Sequence, residues 1–178
     1  MEPDVLTPPR SPAPARSKPI RLGKDVRKVW LIVHIAAAGA WLGMDLVLGV
    51  LIFTAMWTSD PQTLSVAMQA LELFAVWPLI ITGVACLISG VVLGLGTKYG
   101  LVRYWWVFVK LVLNILLVLL VVFALRPGVH EAAELGRSLL ATRPGDMVYP
   151  PIVSTAAVLF ATVISVLKPW GRLRKDGT

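Results

Sequence analysis

Charge is scarce in this 178-residue chain: 10 Asp and Glu, 17 Lys and Arg, and a charged fraction of 15 %. A soluble domain carries about 25 %. The single cysteine, Cys86, excludes an intrachain disulfide and leaves the redox compartment unread. There is no GxSxG elbow, no glycine loop of the nucleotide-binding kind after a strand, and no HExxH, which sets aside a soluble hydrolase or dehydrogenase. No basic groove interleaved with aromatics is present either. The formal net charge of +7 therefore belongs to membrane topology rather than to nucleic acid.

What the chain has in quantity is apolar sequence: 57 % hydrophobic residues and a mean hydropathy of +0.77. The hydropathy predicts an all-α polytopic membrane protein, a bundle of four transmembrane helices over about 27–56, 63–96, 102–125 and 150–168. The first run is too long for a signal peptide's apolar region and has no convincing cleavage site, so it is expected to be retained. Ahead of it, residues 1–26 form a proline-rich, basic tail expected to be disordered. Pro78 is expected to kink the second helix. Arg126-Pro127-Gly128 is expected to stop the third, leaving an outer loop over 126–149 in which VHEAAELGRSLLA forms a short amphipathic helix. A basic tail, 169–178, closes the chain.

Orientation follows from the basic residues. Arg10, Arg16, Lys18, Arg21, Lys24, Arg27 and Lys28 precede or open the first helix. Lys98 and Arg103 lie in the second turn, and Lys168, Arg172, Arg174 and Lys175 near the C-terminus. Arg126, Arg137 and Arg143 oppose them. Both termini are thus expected to be cytoplasmic, in the inner (cytoplasmic) membrane of the cell, with the lipid bilayer as the first partner. Gly39-x-x-x-Gly43, Gly83 and Gly90-x-x-x-Gly94 offer close helix approach, which would also suit a homodimer or a larger membrane complex.

Ionisable residues inside such segments are functional candidates, because unpaired burial costs several kcal/mol, about 3 or more. His34 and Asp45 share one stripe of the first helix about 16 Å apart along its axis. Lys110 and Asn114 lie one turn apart on the third helix, and Arg103 faces the same way. An inner cluster of His34, Arg103, Lys110 and Asn114 is therefore expected. Asp45, Glu72 and His130 form a second candidate, an outer proton or metal site. Its carboxylates could share a proton, or pair with Arg126, Arg137 or Arg143 instead. Met44 beside Asp45 is the one hint of copper, since Met56, Met68 and Met147 form no tight motif.

VHIAAAGAWLGMDL, with His34, Trp41 and Gly43, and RYWWVFVKLVLN, with Trp105, Lys110 and Leu111, resemble a superfamily of four-helix membrane proteins. It comprises the CopD copper-resistance proteins, the HemJ protoporphyrinogen oxidases and the functionally unassigned DUF2269-type proteins. The resemblance covers residues 28–125 and is closest to the last group. It implies His34 as an axial ligand of haem b, with Lys110 and Arg103 at the haem edge, and electron exchange with quinone or a partner. Trp41 and Asn114 complete this cofactor-binding set. GMDLVLGVLIF after the tryptophan and FALRPG at the end of the third helix depart from the HemJ pattern, so its substrate does not transfer. One membrane histidine per chain allows bis-histidine haem only across a dimer.

Three readings follow. The leading one is a small membrane redox protein with b-type haem. The others are a non-catalytic accessory or assembly subunit, and proton-coupled or metal transport by an oligomer.

Overall fold

The computed structural model describes residues 22–96, 101, 104–138 and 144–168. The proline-rich tail up to residue 21, Arg103 and the basic tail after Lys168 lie outside the described residues. The chain is helical, and four of its segments are long and apolar enough to cross a membrane: Lys24–Trp57, Pro61–Leu95, Trp105–Arg137 and Gly145–Leu167. No strand occurs among the described residues.

Helix α1, Lys24–Trp57, is one uninterrupted run of 34 residues. At 1.5 Å per residue it is about 51 Å long, well beyond the ~30 Å hydrocarbon core, so it must tilt or protrude. Its buried residues, Ala37, Trp41, Asp45, Leu48, Ile52 and Ala55, recur every three or four positions and form one face. The opposite face leaves Ile32, Leu46 and Val50 exposed, as do Leu73, Phe123 and Val166 elsewhere on the outside. A surface of that kind belongs in lipid rather than water.

The second span is two helices, α2 (Pro61–Ala75) and α3 (Trp77–Leu95). Asp60 starts α2, accepting hydrogen bonds from the Gln62 and Thr63 amides and from the Thr63 hydroxyl. These bonds, the Thr63 hydroxyl's foremost, hold the Asp60 carboxyl below the usual carboxylate range. The expected kink at Pro78 is a break: Val76 leaves helical geometry at φ −104°, ψ −83°. Pro78 has no N–H for the carbonyl four residues earlier, and its ring crowds that turn.

The third span does not stop at Arg126. Helix α4, Trp105–Leu120, passes into a π-helical turn, Val121–Leu125, and then into α5, Arg126–Arg137. The Arg126 amide donates to the carbonyl of Val121, five residues back. Pro127 has no amide to donate, and the wider turn absorbs the misfit before α5 begins. Most of the expected outer loop is therefore helix. Val129, Ala132, Ala133 and Gly136 bury against α2, and the Ser65 hydroxyl donates to the Gly136 carbonyl. A short 3-10 turn, Gly145–Val148, leads into α6, Tyr149–Leu167.

In cross-section α1 lies beside α3 and α6, and α4 also lies beside α3 and α6, so the four spans close into a ring with α1 and α4 opposite. The expected close approach at Gly39 and Gly43 is not used among the described residues, where a Cβ built at either would have no neighbour within 4 Å. It occurs at Gly83, where a Cβ would come within 2.6 Å of Trp41 Cζ3 and 2.9 Å of Val118 Cγ2. Gly83→Ala is accordingly expected to destabilise the bundle by about 1–3 kcal/mol through overpacking. Gly39→Ala and Gly43→Ala should be neutral, or stabilising by up to about 1 kcal/mol through helix propensity. Thermal melts of the three variants in detergent check the contrast.

Candidate functional site

Trp41 occupies the middle of the ring. It is 1 % exposed, its indole ring fills the space left by Gly83, and its Nε1–H donates to Ser154 Oγ at 2.9 Å. Through Gly83 and Ser154 it meets α3 and α6, and Val118 of α4 crowds the same glycine. Ser154 in turn donates to Asp45 Oδ2 at 2.8 Å. Asp45 is 2 % exposed, and its other carboxylate oxygen, Oδ1, is buried with no hydrogen-bond partner. Buried polar groups nearly always find a partner, so an orphaned carboxylate oxygen calls for an explanation.

A cavity of about 240 Å³ provides one. Asp45 and Ser154 line it on one side, Leu117 and Val121 on the other, and the exposed Asp146 stands at its rim. All four spans contribute to the wall. Both interruptions of the helices adjoin it: Leu79 follows the break at Val76, and Val121 and Leu125 bound the π-helical turn. Broken or π-bulged membrane helices recur beside ion and substrate sites, where irregular backbone lines a cavity rather than facing lipid. The sequence showed the prolines but no paired broken helices.

Toward the other end of the bundle, two polar seams lie at one depth. His34 Nδ1–H donates between the Cys86 carbonyl at 3.1 Å and Ser89 Oγ at 3.0 Å; a carbonyl can only accept, which fixes the proton on Nδ1. Ser89 passes its own proton to the Ala85 carbonyl. Across the ring, Lys110 Nζ donates to Ser165 Oγ at 2.7 Å and stands 4.8 Å from the centre of the Trp106 ring. Lys110 is close enough for its charge to bear on His34 and Cys86. Asn114, one turn further along α4, keeps a buried Oδ1 without a partner. His34 and Lys110 of the expected inner cluster are thus within electrostatic reach but hydrogen-bond different helices, α3 and α6, and Arg103 lies outside the described residues.

The expected outer site keeps Glu72 with His130 and with Arg137, one of the arginines named for it, but not with Asp45. Glu72 takes His130 Nδ1 at 2.8 Å and Arg137 Nη1 at 3.0 Å, while Arg137 Nη2 also binds Glu134 at 2.7 Å. Asp45 is not among them. It faces α6 from α1, whereas Glu72 faces α5 from α2. Among the described residues no three His, Cys, Asp or Glu side chains gather as metal ligands. The Glu72 cluster is an exposed clasp between α2 and α5, and such surface pairs contribute little. Arg137→Ala is expected to leave the melting temperature nearly unchanged in ordinary salt.

His34 is anchored to α3 through Nδ1, which leaves Nε2 as the nitrogen that could ligate. Its ring packs on α3, with Cε1 only 3.3 Å from where a Cβ at Gly90 would be, and its Nδ1 is engaged there. Lys110 spends its ammonium group on Ser165. The central cavity is lined by neither residue, and at about 240 Å³ it falls below the roughly 300–1,000 Å³ of drug-sized ligand sites. Its size suits water, a proton or a small ion.

Sequence reasoning missed Ser154, Ser89 and Ser165. Their one common signal is a hydroxyl in a strongly apolar helix, and two of the three also bond their own helix's backbone, the bland role for such a residue. No family model, curated protein or solved structure matches the chain.

Proposed function

We propose that this multi-pass membrane protein carries a small cation, a proton or a metal ion, across its membrane, with Asp45 as the binding group. The observation that carries the reading is the partnerless Oδ1 of Asp45, 98 % buried in the middle of the bundle on the wall of a cavity flanked by two helix discontinuities. A carboxylate inside a membrane span is expensive to keep, and proton relays and ion pathways are where such residues are found. Nothing in helix packing alone requires it: an apolar side chain would fill the place at lower cost.

The distribution of basic residues supports cytoplasmic termini. In that orientation the Asp146 rim faces the outer side, and the cavity admits the cation from there. Trp41 lies one turn of α1 to the cytoplasmic side of Asp45, packs on Gly83 and donates to Ser154 of the cavity wall. Passage across the membrane requires Trp41 and the helices it touches to shift, which the breaks at Val76 and at the π-helical turn allow.

Flux into proteoliposomes tests the reading. Vesicles are loaded with a pH-sensitive or a divalent-cation-sensitive dye and given an inside-negative potential. The wild type is expected to admit one of the two, and Asp45→Asn to lose the signal. Equal entry with both proteins, or none above protein-free vesicles, would overturn it.

A further inference from the structure

The cation itself can be identified from the same site, in an inference that rests on the transport reading above. We infer that the occupant is a proton, held on Oδ1 of Asp45, and that Ser154 and Trp41 are positioning residues that reserve that oxygen for it.

The hydrogen-bond directions give the first argument. An indole N–H can only donate, so the 2.9 Å contact uses Ser154 Oγ as acceptor and turns its own hydrogen toward Asp45 Oδ2. Oδ2 is therefore an acceptor, and the proton of a neutral carboxyl group belongs on Oδ1, the oxygen without a protein donor. An ionised carboxylate would leave Oδ1 with no donor at all unless water enters.

The wall chemistry gives the second. Hard metal cations take about six or more oxygen ligands. Among the described residues, the polar side chains on this wall are Asp45, Ser154 and Asp146. Asp146 stands exposed at the rim, and Ser154 already accepts from Trp41 and donates to Asp45. The rest of the wall is mostly hydrocarbon, from Leu48, Leu79, Leu117, Leu120 and their neighbours. A metal ion would be stripped of its water and given too few ligands. A proton needs one oxygen.

The third is access. The cavity has room for several waters, and these can connect Asp45 with the rim. The step is a simple transfer: the O–H bond at Oδ1 breaks, its electron pair stays on the carboxylate, and the proton passes to cavity water as hydronium. Water hydrogens then supply the donors that the ionised Oδ1 lacks. Few groups share the cavity wall with Asp45: from α6 comes Ser154, from the turn before it the exposed Asp146, and from α3, α4 and α5 the apolar Leu79, Leu117 and Val129.

Labelling with dicyclohexylcarbodiimide tests this. The reagent adds to protonated carboxyl groups in apolar surroundings and spares ionised or metal-bound ones. Full-length protein in mild detergent is treated over a range of pH, with and without sodium, potassium, magnesium or zinc chloride, and the adduct is mapped by mass spectrometry. An adduct on Asp45 is expected that fades as pH rises and is indifferent to the metals. Asp45→Glu should keep it and Asp45→Asn should lose it. Trp41→Phe and Ser154→Ala should move the pH at which labelling fades, a shift that loss of packing alone would not produce. Protection by a metal would overturn the proton while leaving cation transport standing. Absence of the Asp45 adduct at every pH would overturn both.

Discussion

Trp41→Ala is expected to cost the bundle about 3 kcal/mol, the lower end of the range for truncating a buried Phe or Trp. The lower end applies because lipid is as apolar as the protein interior, so the transfer part of the loss largely drops out and packing is what remains. That packing is concentrated at this residue. Its ring lies 2.6 Å and 3.0 Å from a notional Cβ at Gly83, it is 1 % exposed, and it holds the hydroxyl of Ser154. Removing it opens a void beside Gly83 and frees Ser154 on the cavity wall. Trp41→Phe keeps most of the ring and loses one hydrogen bond, for about 1 kcal/mol. Denaturation curves in detergent should rank wild type, Trp41→Phe and Trp41→Ala in that order. A Trp41→Ala protein as stable as wild type would show that the ring is not the centre of the packing.

Asp45→Leu is expected to do the reverse, raising stability while ending transport. Leucine has similar volume and removes a buried oxygen that has no partner, a defect worth about 1–3 kcal/mol. Ser154 loses its acceptor but can turn its hydroxyl to a carbonyl one helical turn back, as Ser89 and Ser165 do. Trp41 can still donate to it. A gain in stability paired with loss of flux is the signature of a residue kept for function. A large loss of stability in Asp45→Leu would instead make the carboxylate a structural group.

Hydropathy was enough to find the four spans, because about 20 apolar residues in a row leave few alternatives. It also exposed Asp45, the carboxylate at the centre of the site. What could not be read was which side chains meet across helices. Periodicity fixes a face, not a neighbour, so the shared depth of His34 and Lys110 was legible, while their hydrogen-bond partners on α3 and α6 were not. Of the outer group, Glu72 does meet His130, and Arg137 among the arginines named for it, but Asp45 lies apart from them. Arg126-Pro127-Gly128 read as a helix stop, yet a proline fits the first turn of a new helix, and the π-helical turn joins it to the old one. Of the glycines expected to let helices approach, Gly83 closes on a tryptophan ring, while Gly39 and Gly43, whose spacing alone suggested packing, meet no neighbour among the described residues.

The most direct test of Asp45 as the proton-binding group is an infrared pH-difference spectrum of the protein reconstituted in lipid. Acid conditions should bring up the C=O stretch of a protonated carboxyl group in an apolar setting. That band should vanish in Asp45→Asn and survive in Asp146→Asn. A band that persists unchanged in Asp45→Asn would contradict the account, placing the titrating carboxyl elsewhere in the chain.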